Sequence, residues 1–174
     1  MIGFIKNYLL DRLLVNRFFL AKQKNEITDY SLQLSEAKKI LIILPVIHQN
    51  VQLINDFISN LALAFPNTSI STFGITSLRK SDMNWLGVPG KEYLNKIREE
   101  EFDLLIDLNE EQDRICTYLS ALSSAPMRIH FSEGKFDRIY NLQIRTDIST
   151  PLTVKVQTLY NYLVKFSKTE NVVL

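Results

Sequence analysis

The stretch EFDLLIDLNEEQDRICTYLSALSSAPMRIHF, residues 101–131, constrains this chain more than any other. It reads as a buried strand, a capped helix and a second strand in one unbroken run. Leu104, Leu105 and Ile106 form an apolar segment that stops at Asp107, short and bounded in the manner of a core strand. Asn109 reads as the N-cap of the next helix, with Gln112 three residues on as its capping-box partner. Pro126 closes the connection and 127–131 resumes as a strand. A β-α-β unit of this kind belongs to parallel-sheet α/β domains, where ligands sit beyond the carboxyl ends of the strands.

The rest of the pattern agrees. KILIILPV, from Lys39, is a continuous apolar run, as expected of a strand covered on both faces. Residues 50–65 carry Ile54, Phe57, Ile58, Leu61 and Phe65 at helical spacing, and Pro66 ends them. A strand is expected at 69–75, an irregular stretch at 77–89, and a helix with a charged outer face at 91–100, closed by the solvated run Arg98–Glu101. Asp107, the helix after Asn109 and the strand from Met127 then lead to a short strand near 140–144. Pro151 opens a final helix to about Phe166, its apolar side given by Val154, Leu159, Tyr162, Leu163 and Phe166. The order predicts a doubly wound, mostly parallel α/β sheet over residues 31–174, preceded by a helical N-terminal arm within 1–30, with 25–38 as a polar connector.

The arm, IGFIKNYLLDRLLVNRFFLAKQK, sets Lys6, Arg12, Arg17, Lys22 and Lys24 against Asp11. It reads either as a basic interfacial membrane helix or, the favoured reading, as a helix packed on its own domain or a second subunit. The whole chain has 20 basic and 19 acidic residues, which leaves no global electrostatic footprint for nucleic acid. Its longest purely apolar run, 40–47, is far short of the roughly 20 residues of a membrane span. The arm lacks the continuous apolar core of a signal peptide, so a cytoplasmic location is expected, with the inner membrane face as a peripheral site. A single cysteine, Cys116, gives no intramolecular disulfide and reads as a buried thiol.

Chemistry-bearing motifs are sparse. None of the five glycines forms a G-x-G-x-x-G turn or a P-loop, and the turn after the first strand, Pro45–Asn50, is bulky where a dinucleotide site wants glycine. No cofactor is expected. His48 and His130, the two histidines, each fall near a strand end, where a general base is conceivable and a packed or solvent-facing role is favoured. Two histidines and one helical cysteine do not supply the three or four ligands of a zinc site, so no metal is expected. Asp107 and Asn109 sit at the carboxyl end of the central strand. They read either as polar ligand contacts or, preferably, as a helix cap and a tie to a neighbouring loop. Trp85 plugs the sheet edge or forms a loop platform for a ligand.

The segments KILIILP, AFPN and FDLLIDLNEEQDRICTYLSALSSAPMRIHF resemble the N-terminal domain of the ADP-heptose glycosyltransferases of lipopolysaccharide synthesis. That resemblance spans about residues 39–167. It implies a Rossmann-like half of a two-domain enzyme, with the acceptor held by this half and the nucleotide-sugar by the other. The family's catalytic aspartate falls at about His48-Gln49, so the acid is missing, and the glycine after the Arg-Ile pair is His130. The 174 residues are expected to hold one such half and no nucleotide-sugar site. More closely, the chain is similar to a small uncharacterised family found in Bacteroidetes, through KSDMNWLGVP at 80–89 and FDLLIDL at 102–108.

Together these point first to a non-catalytic, glycosyltransferase-like binding module. Its partner would be another protein or a second copy engaged through the N-terminal helix, with the membrane surface as a further contact. The candidate cleft is His48, Gln49, Asp107, Asn109 and His130, and no residue is assigned a catalytic role. An enzyme or half-enzyme acting on a sugar or phosphosugar, completed by another chain, is the second expectation. A structural homodimer is the third.

Overall fold

Five segments, KILII, SISTF, LLID, MRIH and LQ, assemble into one all-parallel sheet in the computed structural model, which describes residues 5, 7–12, 29–46, 50–131, 134–147 and 149–167. In chain order the elements are α1 (Tyr30–Ser35), β1 (Lys39–Ile43), α2 (Val51–Ala64), β2 (Ser69–Phe73), α3 (Lys91–Glu99), β3 (Leu104–Asp107), α4 (Arg114–Leu122), β4 (Met127–His130), β5 (Leu142–Gln143) and α5 (Leu152–Ser167). The sheet order is β2-β1-β3-β4-β5. The strand order reverses direction between β1 and β3, which makes their carboxyl ends the switch point of a Rossmann-like α/β fold.

Strand alternation sorts the core into two layers. Ile40, Ile42, Leu104, Ile106, Met127 and Ile129 face α2 and α5 in one apolar cluster. Leu41, Ile43 and Leu105 face the opposite way, toward Cys116 and Leu119 of α4, with Tyr93 and Ile97 of α3 packed against them. At the amino edge the Asp103 carboxylate accepts from the Lys38 and Lys39 amides at 2.8 and 2.9 Å, which fixes the register of β1 against β3.

Several sequence expectations need correction. The polar connector contains a helix, α1, because the Asp29 carboxylate caps the Ser31 and Leu32 amides and Leu34 is buried in the α2–α5 layer. The helix after β3 begins at Arg114 and not at Asn109: Asp113 is its N-cap, accepting from the Ile115 and Cys116 amides at 2.8 and 3.0 Å. Arg98 is half-buried rather than solvated, its Nε donating to the Leu122 carbonyl at 2.8 Å. On α5 the buried stripe is Leu152, Lys155, Val156, Leu159 and Leu163, while Val154 and Tyr162 are exposed. Among the described residues no helix is long and apolar enough to cross a membrane.

Candidate functional site

The carboxyl ends of β3, β4 and β5 open into a cleft of about 1060 Å³. Residues 110–115 after β3, Phe131 and 134–136 after β4, and Arg145 and Thr146 after β5 form its base and sides. Lys155 reaches it from α5, and Leu86, Gly87 and Val88 close one wall. Asn7, Leu10 and Asp11 of the N-terminal helical residues 7–12 complete that wall.

Its lining is charged and internally paired. Lys155 has a side chain only 7 % exposed, and its Nζ donates to Glu110 Oε1 at 2.9 Å. An ammonium group this deep is stabilised only with such a partner. The Asp11 carboxylate lies between two cations: Oδ1 is 3.5 Å from Arg114 Nε, and Oδ2 is 2.5 Å from Lys135 Nζ. Gln112 donates from Nε2 to Asp137 at 2.9 Å and accepts the Phe136 amide at 2.9 Å. It thereby holds the loop that carries Lys135. Gly134 passes so close that a Cβ there would run into the Gln112 amide.

Beneath the cleft lies a second polar group, sealed from it. Asp107 is fully buried. Its Oδ2 accepts from the Tyr140 hydroxyl at 2.6 Å, and its Oδ1 from the Asn109 side chain at 2.8 Å and the Asn109 amide at 3.1 Å. Asn109 passes the connection on, accepting the Val46 amide at 2.8 Å. The loop after β1, the end of β3 and the turn before β5 are thus joined by one hydrogen-bonded chain. His130 is buried and stacks on Tyr140, ring centres 4.7 Å apart. Burial raises the Asp107 pKa, against the lowering effects of the His130 charge and of the hydrogen bonds from Tyr140 and Asn109. Burial and the Asp107 charge raise Tyr140 well above its ordinary value. Cys116, in α4, is likewise driven up by burial and by the nearby carboxylates, as befits an inert thiol.

The sequence candidates therefore separate. Asp107, Asn109 and His130 do come together, around Tyr140, but they lie in the protein interior and line no part of the cleft. His48 and Gln49 lie outside the described residues. Trp85 does not plug the sheet edge. It stands 68 % exposed on a tight turn closed by the Gly87 amide donating to the Asn84 carbonyl at 2.9 Å. Gly87 takes φ +80° there, a conformation open to glycine. Val88, three residues beyond Trp85, is buried among Leu94, Phe136 and Ile139.

Asp11, Arg114, Lys135, Tyr140 and Lys155 escaped the sequence reading. Only Lys155 leaves a trace. It interrupts the stripe Leu152–Val156–Leu159–Leu163 at helical spacing, and a cation on an apolar face signals a buried partner. Among the described residues no cluster of histidine, cysteine and carboxylate side chains could hold a metal ion.

A parallel α/β domain with a charged crevice at its carboxyl edge is the class that fold and site define. Within it, the chain belongs to the family of unknown function DUF6913, whose profile matches residues 12–166. No curated protein and no solved structure matches the chain.

Proposed function

We propose that this domain is a non-catalytic binding module that engages a protein partner across the carboxyl-edge cleft and its rim. On this reading it is a glycosyltransferase-like half, similar to the N-terminal domain of the heptosyltransferases, that holds a partner at the face where its enzymatic counterpart would hold an acceptor. It works in the cytoplasm, with the inner membrane face as a peripheral site. The observation that carries the reading is the contrast between the rim and the interior. The acid with the perturbed pKa, Asp107, is committed to Tyr140 and Asn109, whereas the cleft rim presents large apolar side chains to water. Trp85 is exposed beside the wall formed by Leu86 and Val88. Ile5, Tyr8 and Leu9 are exposed on the helical residues whose Leu10 packs into the same cluster as Val88. Exposed aromatics bordering a polar cleft are the composition of a protein interface.

The test places an aromatic photo-crosslinking amino acid, which keeps a ring at the rim, at position 85 in cells of the native organism, with position 63 as control. Leu63 is 79 % exposed on α2, across the sheet from the α3–α4 layer. One defined protein crosslinked from position 85 and not from position 63 supports the module. Equal, diffuse labelling from both positions sinks it.

A further inference from the structure

One wall of the cleft carries a socket that the chain itself occupies. Leu10 is 4 % exposed and joins a cluster with Val88, Leu94, Phe136 and Ile139. Its neighbour Asp11 bridges Arg114, at the start of α4, and Lys135, on the loop after β4. Two cations brought together from separate elements, next to an apolar pocket, make a receptor for an apolar residue followed by an acid. The chain fills that receptor itself. Yet the residues that fill it are weakly held elsewhere: Ile5, Asn7, Tyr8, Leu9 and Arg12 are all exposed. Among the described residues of this segment, Leu10 and Asp11 are the two that are not exposed.

We infer that residues 7–12 are a releasable internal ligand, and that the socket at Arg114, Lys135 and Val88 receives a partner segment presenting the same chemistry, an apolar residue next to an acid on a helical turn. Charge complementarity selects that occupant. The carboxylate seated between Arg114 and Lys135 defines the sign of the group that must replace it, and the Leu10 pocket defines its neighbour. A segment of the same chain competes for the socket intramolecularly, ahead of a separate chain. The partner therefore binds strongly only when the arm is displaced or altered. The inference rests on the proposed binding function and adds its selectivity and its autoinhibitory contact.

The test uses the full chain and a fluorescent peptide of its own residues 5–12, IKNYLLDR. The receptors are the wild type, Asp11→Asn, and Leu10→Ala combined with Asp11→Asn. Asp11→Asn keeps Leu10 in its pocket and serves if the double variant unfolds, and thermal melts are run on all three. The expected result is at least tenfold tighter peptide binding by the double variant than by the wild type, with an intermediate gain for Asp11→Asn. The gain is lost when Arg114 and Lys135 are changed to Gln, and a peptide carrying Asn in place of its aspartate binds no variant. Equal binding to all three receptors overturns the inference, as does a peptide that tolerates loss of its acid. A wild type that runs as a dimer and takes up no peptide gives the socket to a second copy, and overturns it also. Peptide failure with the position-85 crosslink intact removes only the socket, whereas loss of both removes the binding module itself.

Discussion

The two faces of the sheet are built from different chemistry. Toward α2 and α5, β1, β3 and β4 present Ile40, Ile42, Leu104, Ile106, Met127 and Ile129, without one polar side chain. Toward α3 and α4 the same strands alternate Leu41, Ile43 and Leu105 with Asp107, Arg128 and His130, all buried. Arg128 compensates for its burial with backbone acceptors, its guanidinium donating to the Ile139 carbonyl at 2.6 Å and to that of Ala125. Burial lowers its pKa. The first face stabilises by area and tolerates any well-packed apolar set. The second depends on direction, because each polar group must meet its partner in one arrangement. The second face sends directional bonds into the loop after β3 and the turn before β5, so its polar groups help to fix the shape of the carboxyl edge.

The largest expected effect lies on the apolar face. Ile106→Ala should cost about 3–4 kcal/mol in urea denaturation, as lost transfer energy plus an unfilled cavity. Ile106 is fully buried between β1 and β4, where little can move in to fill the space. A loss under about 1 kcal/mol would show that this face collapses freely, and would erase the contrast with its opposite.

On the polar face the sharper test is pH. Burial raises the Asp107 pKa above that of the unfolded chain, about 3.9. The native state therefore holds the proton where the unfolded state has released it. Stability contributed by this group is full below pH about 4 and falls as pH rises toward the folded pKa, by at most about 1.4 kcal/mol per pH unit. Asp107→Asn should flatten that decline. The check is the difference in unfolding free energy between wild type and variant from pH 4 to 8. A difference that moves in the opposite direction would mean that the hydrogen bonds from Tyr140 and Asn109 outweigh burial.

Tyr140→Phe is the next step down. It removes the shortest hydrogen bond to Asp107 and leaves Oδ2 buried without that donor, for an expected loss of about 1–3 kcal/mol. Because the phenol stabilises the charged carboxylate, its removal should also carry the Asp107 decline to higher pH. Stability measured at two pH values separates the two effects. A uniform loss at both would assign Tyr140 to packing alone.

The sheet was legible because its strands carry their signal locally. KILII and LLID are short, continuous and apolar, and α2 shows its face in the spacing of Ile54, Phe57 and Leu61. The bonds of the site were not, because they join residues distant in sequence. Tyr140 and Asp107 are 33 positions apart, and Lys135 and Asp11 are 124 apart. Helix ends fell between these extremes. Asn109 and Asp113 are both good caps, and the choice went to Asp113 because Asn109 is engaged by Asp107 and Val46. Asp107 and Asn109 were recognised as a pair at the strand end. Their enclosure by Tyr140 depended on a turn that periodicity does not describe.

The smallest expected effect separates binding from folding on a single turn. Val88 is completely buried and Trp85 stands out in water, although one hydrogen-bonded turn carries both. Trp85→Ala should leave the unfolding free energy within about 0.5 kcal/mol of wild type, as for other exposed positions without special contacts. It should nevertheless abolish partner capture, because an aromatic of this size at a rim supplies contact area at low entropic cost. The paired measurement is a urea titration and capture of the crosslinked partner by the same variant. Unchanged stability with lost capture assigns Trp85 to the interface. A stability loss of the size expected for Val88→Ala would instead make Trp85 part of the packing that closes the cleft wall, and the distinction between rim and interior would then fail at its most exposed point.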